Sequence, residues 1–373
     1  MSSLRNPPGP SSVGRRTFLR QSAALLSLLG TGLPAFSAQQ QNCTGARHRL
    51  IFASPYDSDL WLSSPHMHQQ LKYNIEDFSN GKICVEIRDK GQQGVGHELA
   101  VQVSRGAIQG ALLSVSNLSP IVPKLDILNI PFWAAQSQSY LNLITSKLWQ
   151  QQVSEQLRTQ GELAILLYHL PGARTLTSTR QYGKLLKTPS DIIDVVFRVP
   201  ASQVLRQFYQ LCGTTPVPVA WKKAATLAAN RRFDALDPSV TGLYNGPNGL
   251  NRHVGAVSLI NSVQDGWVSV INQQWLKSLP RKLRIAVWEG AEKTFTQHLP
   301  VARQAALYCQ RGLLRNGATI YYPSADEMAA WQEIGGYQRR EWHATKVALL
   351  GKVSAFDAFV AATQVNNGLT FPS

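Results

Sequence analysis

The alternation of short apolar runs with helix-period segments between residues 48 and 115 constrains this chain most. His48-Arg-Leu-Ile-Phe-Ala53 reads as a strand, and residues 67–79 carry helical periodicity that stops at Asn80-Gly81. Ile83-Cys-Val-Glu-Ile87 reads as a second strand, residues 98–105 as a helix closed by Gly106, and Ala111-Leu-Leu-Ser-Val115 as a third strand. Strand, helix, strand, helix, strand in this order specifies a parallel sheet with crossover helices. Such sheets bind ligands in a crevice beyond the carboxyl ends of their strands. Tyr56, Ser116 and Asn117 follow the first and third strands and are therefore candidates to face a cleft.

Further along, Ala164-Ile-Leu-Leu-Tyr-His169 is another strand, and Pro171-Gly172 reads as a crossover into a second lobe. Residues 263–271 read as a strand that returns to the first lobe, and residues 275–279 and 282–314 as mainly helical. A helix of about 30 residues extends roughly 45 Å, enough to run along both lobes. Residues 327–365 read as a helical tail with a basic face.

The start of the chain sets an expectation about compartment. Gly14-Arg-Arg-Thr-Phe-Leu-Arg20 is a twin-arginine signal, followed by the apolar stretch Ala23-Ala-Leu-Leu-Ser-Leu-Leu-Gly30. That stretch falls short of the roughly 20 residues a membrane span needs, so it reads as a cleavable export signal. Ala35-Phe-Ser37 supplies small residues for the cut. Removing residues 1–37 leaves 336 residues, too many for one ordinary core, which points to two lobes. The four cysteines, Cys43, Cys84, Cys212 and Cys309, are 41, 128 and 97 residues apart. An exported chain with an even count permits disulfides, but no pair has metal-site spacing, and the reading is mostly buried free thiols.

The formal charge is +15; Arg5, Arg15, Arg16 and Arg20 belong to the signal, which holds no acids, so the remainder carries about +11. A nucleic-acid surface would cluster its basic residues with interleaved aromatics. Here they are scattered, with Arg231-Arg232 and Arg339-Arg340 only as pairs, so nucleic acid is excluded and small anions fit better. Gly-x-Ser-x-Gly, His-Glu-x-x-His and Cys-x-x-Cys are all missing, and Gly94-Val-Gly96 lacks what a nucleotide loop needs. The eight histidines are dispersed, and His66 and His68 read as loop or helix surface. No catalytic residue, metal or cofactor is expected.

Arg198 is the leading site residue. Val195-Val-Phe197 reads as a short buried strand, Pro200 stops it, and Arg198 stands at its mouth. A guanidinium keeps its charge and presents a planar fork of donors that fits a carboxylate through two parallel hydrogen bonds. Trp221 is placed either to close over a ligand or to cap a helix.

The order of motifs resembles one family, the solute-binding proteins of the tripartite ATP-independent periplasmic (TRAP) transporters. The resemblance runs from about residue 48 to 331. It rests on Asn80-Gly-Lys-Ile-Cys-Val-Glu-Ile87, Gly91-Gln-Gln-Gly-Val-Gly-His-Glu-Leu99 and Val122-Pro-Lys-Leu-Asp-Ile-Leu-Asn-Ile-Pro-Phe132. Arg174-Thr-Leu-Thr177, the Arg198-Val-Pro200 strand end and Trp275-Leu-Lys-Ser-Leu-Pro280 complete it. It implies an α/β fold of the periplasmic-binding-protein kind, with two lobes, a hinged cleft and a long helix spanning both. The expected boundaries are lobe I at 38–171 with about 263–303, and lobe II at 172–262 with about 304–373. It further implies that Arg198 grips a substrate carboxylate, that Arg174 is a second site arginine, and that the partner is a TRAP permease with a small and a large membrane subunit. Asp237 matches an acidic position able to orient Arg198 or bind the ligand. The expected protein is a periplasmic monomer or dimer.

The chain also departs from the pattern. Lys222 stands near a position where the family carries glutamate, and Asp194 where it carries glycine before the anchor strand. These departures leave one alternative beside a transport protein, a binding protein repurposed as a sensor or assembly factor, and the twin-arginine route leaves another, an exported enzyme folded around a cofactor.

Overall fold

In the computed structural model, residues 43, 45–59 and 66–372 are described. The expected export signal, residues 1–37, lies outside them. Two sheets organise the described chain. The first holds β1 (His48–Ala53), β2 (Ile83–Arg88), β3 (Gly110–Ser114), β4 (Leu163–His169) and β10 (Trp267–Asn272) in the order β2-β1-β3-β10-β4. β1 runs parallel to β2 and β3, as the alternating pattern requires, with α1 (His68–Phe78) and α2 (His97–Ser104) as the crossovers. β10 enters antiparallel between β3 and β4. Its first residue, Trp267, therefore stands opposite Ser114, at the carboxyl end of β3.

The second sheet holds β5 (Leu176–Thr179), β6 (Val196–Val199), β7 (Thr215–Pro218), β8 (Ala235–Leu236), β9 (Val254–Ser258) and β11 (Thr319–Tyr321) in the order β11-β9-β5-β8-β6-β7. β6 is parallel to both β7 and β8 and is buried along Phe197, Arg198 and Val199. The anchor strand thus starts one residue later than expected and includes Arg198.

Two stretches of chain connect the sheets side by side. Arg174 N donates to Val263 O, Ser262 N to Arg174 O and Asp265 N to Gly172 O. Residues 263–266 belong to this connection, so the returning strand begins at Trp267 and not at residue 263. α3 (Val115–Leu118) follows β3 directly, α4 (Gln203–Leu211) follows β6, and α5 (Val240–Asn245) follows β8. α6 (Arg281–Arg315) runs unbroken for 35 residues. It packs on α1 and β4 of the first sheet and on α5 and β11 of the second, so one element spans both lobes.

Two expectations need correction. Cys43 and Cys84 form a disulfide with Cα atoms 5.4 Å apart, whereas Cys212 and Cys309 are buried thiols. Sequence distance hid the pair because β2 returns Cys84 beside the residues leading into β1. The tail is helical as expected and divides into three helices, Ala325–Gly335, His343–Leu350 and Ala355–Ala362. Gly336 stops the first, and Gly351, at φ 83°, stops the second. Its basic face is not wholly outward. Lys346 is buried, donates to Tyr337 O at 2.7 Å and lies 4.3 Å from the centre of the Phe356 ring. Among the described residues, no helix is long and apolar enough to cross a membrane.

Candidate ligand-binding cleft

The carboxyl ends of the parallel strands converge on one cleft. From the first sheet come Tyr56 beyond β1, Ser114 at the end of β3, Asn117 on α3 and Trp267 at the start of β10. From the second come Arg198 and Pro200 at β6 and Pro238 beyond β8, with Trp221 in the turn after β7. Arg174 and Asp265 come from the connecting stretches. The space between these residues is roughly 300 Å³, including the part open to solvent. Arg174 and Arg198 are each 3% exposed, and Tyr56, Trp221 and Trp267 are buried too.

The two arginines have different surroundings. Arg198 donates through Nε (3.1 Å) and Nη2 (2.8 Å) to Val219 O, and its guanidinium carbon lies 5.2 Å from the centre of the Trp221 ring. Among the described residues it has no carboxylate partner, and Nη1 makes no hydrogen bond. Burial pushes its pKa down to about 10, against the pull of the more distant Asp237 and Asp265 and with the positive charge of Arg174 acting in the same direction as burial. It is a desolvated cation held in place by a carbonyl and a ring, and it lines the cleft.

Arg174 is already paired. Its Nη1 meets Asp237 Oδ1 at 3.2 Å, and its Nη2 meets Asp265 Oδ1 at 2.8 Å and Ser116 Oγ at 3.4 Å. Burial acts to lower its pKa, but Asp265 and Asp237 outweigh it and the net direction is upward. Asp265 is fixed from behind by Ser239, whose backbone N and Oγ both donate to Oδ2. Asp237 is fully buried; burial raises its pKa against the pull of both arginines.

Of the residues expected at the site, Tyr56, Asn117, Arg174, Arg198 and Trp221 line the cleft, while Ser116 and Asp237 stand behind Arg174. Asp237 makes its ion pair with Arg174, not with Arg198. The intervening β8 fits this: Leu236 pairs with Arg198, and just beyond the strand Ser239 bridges to Arg174, which brings Asp237 between them to Arg174. Trp221 is the first residue of the helical turn Trp221–Lys223, which Ala220 caps, and its side chain lines the cleft. Sequence reasoning missed Asp265 and Trp267. The available signal was an acid before a glycine at the start of an apolar strand, in a chain with only 22 acids.

The histidines expected at the surface are buried. His66 is stacked on Tyr56 with ring centres 4.3 Å apart, and His68 Nε2 lies 2.6 Å from Ser54 Oγ. His169 lies 5.4 Å from His66, ring to ring, and His298 lies 5.4 Å from His169. Trp267 stacks edge-on against both Tyr56 and His66. A buried histidine layer therefore backs the aromatic wall of the cleft. Among the described residues, the one group with metal-ligand proximity is Cys43, Glu76 and Cys84, and its two sulfurs are consumed by the disulfide.

A cleft of this kind, between two sheets joined by paired connecting strands and a spanning helix, defines a two-lobed binding protein. The chain belongs to the bacterial extracellular solute-binding proteins of family 7 (DctP), whose profile matches residues 65–343. A TRAP periplasmic solute-binding protein of Shewanella oneidensis, solved with bound succinate, superposes with a TM-score of 0.75 at 18% identity, covering 86% of this chain and all of that one. The sugar acid binding protein of Advenella mimigardefordensis, in complex with galactonate, superposes at 0.76 with 15% identity, covering 86% of this chain and 98% of its own. The C4-dicarboxylate-binding protein DctB of Bacillus subtilis is 22% identical over 171 residues, 46% of this chain and 47% of its own length. The chain thus spans about half the length of the first curated relatives it matches.

Proposed function

We propose that this protein captures a small organic anion, a carboxylate, in the cleft between its lobes and delivers it to a TRAP permease built of a small and a large membrane subunit. The observation that carries this reading is Arg198, a buried arginine lining the cleft without a carboxylate of its own. A desolvated cation of this kind is stabilised by a bidentate anion. The succinate- and galactonate-bound relatives support the same ligand chemistry. Arg174, Asp237, Asp265 and Ser116 form the brace that keeps the wall rigid, and Tyr56, Asn117 and Trp221 contact the ligand. The lobes follow the expected division, residues 38–171 with about 263–303 and 172–262 with about 304–373, except that residues 263–266 belong to the connection and the last helix, Ala355–Ala362, with the residues after it, packs back on residues 137–149 of the first lobe. They close over the bound anion, which excludes water and favours the state the permease recognises. Binding rather than catalysis is the activity. Export proceeds through the twin-arginine signal at Arg15-Arg16 to the periplasm, where the protein acts as a monomer or dimer.

Thermal unfolding of the mature protein with a panel of organic acids tests the reading. A ligand at 100 times its dissociation constant adds about 2.7 kcal/mol of stability. Arg198→Ala should lose about 3–5 kcal/mol of binding, the cost of leaving a buried charge unpaired. An affinity change of less than tenfold would remove Arg198 from the role of anchor.

A further inference from the structure

We infer that this cleft selects anions with one carboxylate on a flat, largely apolar body, and disfavours dicarboxylates and polyhydroxy acids; the inference rests on the binding reading above. The first support is the distribution of charge. Arg174 spends Nη1 on Asp237 and Nη2 on Asp265, so its charge is answered within the protein. Among the described residues lining the cleft, Arg198 is then the one cation without a carboxylate. A second carboxylate on the ligand would find no second free cation. It would instead share the cleft with Asp265, part of a group in which two aspartates surround one arginine. Like charges in a desolvated space repel strongly.

The second support is independent of charge. Tyr56, Trp221 and Trp267 give the cleft aromatic walls, and Pro200 and Pro238 add apolar rings that bring no backbone N–H. Tyr56 and Trp267 meet edge-on with centres 4.9 Å apart, and Tyr56 is backed by His66, so this wall is packed and rigid. An aromatic ring packs well on such a surface. A sugar acid would bring several hydroxyls, and the neutral polar side chains lining the space are Ser114 and Asn117 with the polar edges of Tyr56 and Trp221, set between apolar rings. A hydroxyl left without a partner on binding weakens affinity. The relatives solved with succinate and galactonate therefore share this fold without setting this ligand.

Isothermal titration of the mature protein at pH 7.5 with benzoate, phenylacetate, succinate and glucuronate tests the inference. One of the two arylcarboxylates should bind at least tenfold more tightly than either succinate or glucuronate. A smaller margin, or tighter binding of succinate or glucuronate, would overturn the inference while leaving the carboxylate reading intact. Absence of binding by all four would overturn both. Asp265→Asn gives a second measurement: the preference for the arylcarboxylate over succinate should shrink at least tenfold. A folded Asp265→Asn protein with an unchanged preference would remove the charge argument.

Discussion

Arg174 and Arg198 stand on one wall of the cleft, yet their protonation equilibria move in opposite directions. Burial lowers Arg198 to about 10, whereas Asp265 and Asp237 outweigh burial at Arg174 and raise it. The difference is one of partners: Arg198 bonds a carbonyl and no carboxylate, whereas Arg174 pairs with two carboxylates. Asp194 shows a second residue-scale effect. It precedes the anchor strand at φ 61°, in the left-handed region, with its N–H donated to Gly213 O at 2.9 Å. A side chain in that region is strained by about 1–2 kcal/mol, less for aspartate than for a branched residue. Asp194→Val should therefore destabilise the fold by about 1–2 kcal/mol in urea titrations, and Asp194→Gly should leave it unchanged or slightly more stable. Loss of more than about 1 kcal/mol in the glycine variant would show that the aspartate side chain, and not the backbone, matters there. The sequence made Arg198 legible because a charge inside a strand ending in Val-Pro is conspicuous. It did not separate Arg174 from Arg198, since the carboxylates that distinguish them arrive from residues 63 and 91 positions away.

At the scale of elements, β1 to β3 were legible because each apolar run is bounded by glycine or a polar turn. The antiparallel entry of β10 was not, because strand direction depends on where the chain returns. α6 was visible by its length, but its role as a joint was not. Near its middle it carries Pro300, which lacks a backbone donor. Two residues earlier, His298 Nε2 accepts the Leu170 N–H at 2.8 Å, just where β4 passes into the Pro171-Gly172 crossover. The spanning helix is thus fastened to the start of the interlobe connection by a side chain. Accepting that bond requires an unprotonated Nε2. His298→Leu would leave a buried N–H without its acceptor, which destabilises by about 1–3 kcal/mol. His298→Gln, which retains an acceptor, should recover part of it. Equal urea midpoints for the wild type and the leucine variant would show that the helix is held at this point by packing alone.

Across the whole molecule, the histidine layer behind the cleft links stability to pH. His66 and His68 are buried among Tyr56, Trp267, Phe52 and Ser54, with His169 against His66 and His298 against His169. Burial lowers His68 to about 4, against the opposing pull of Asp89 and Asp57. Burial also holds His66 well below its usual value, helped by the neighbouring histidines. A histidine depressed in the fold takes its proton more readily when unfolded. The stability it contributes is complete above the unfolded value near 6.5 and is lost as pH falls from there toward 4. For His68 the loss amounts to about 2 kcal/mol between pH 7.5 and pH 5, and His66 adds to it in the same sense. The layer backs Tyr56 and Trp267, so acid should loosen the cleft wall together with the fold. Urea titrations at pH 7.5, 6 and 5 should show stability falling across this range. His68→Gln, which cannot titrate but can still reach Ser54, should flatten the slope by roughly the His68 share. A slope identical in wild type and His68→Gln would assign the acid sensitivity to other groups, with the raised carboxyl of Asp237 excluded, because a carboxylate held above its usual range contributes stability on the acid side and loses it as pH rises.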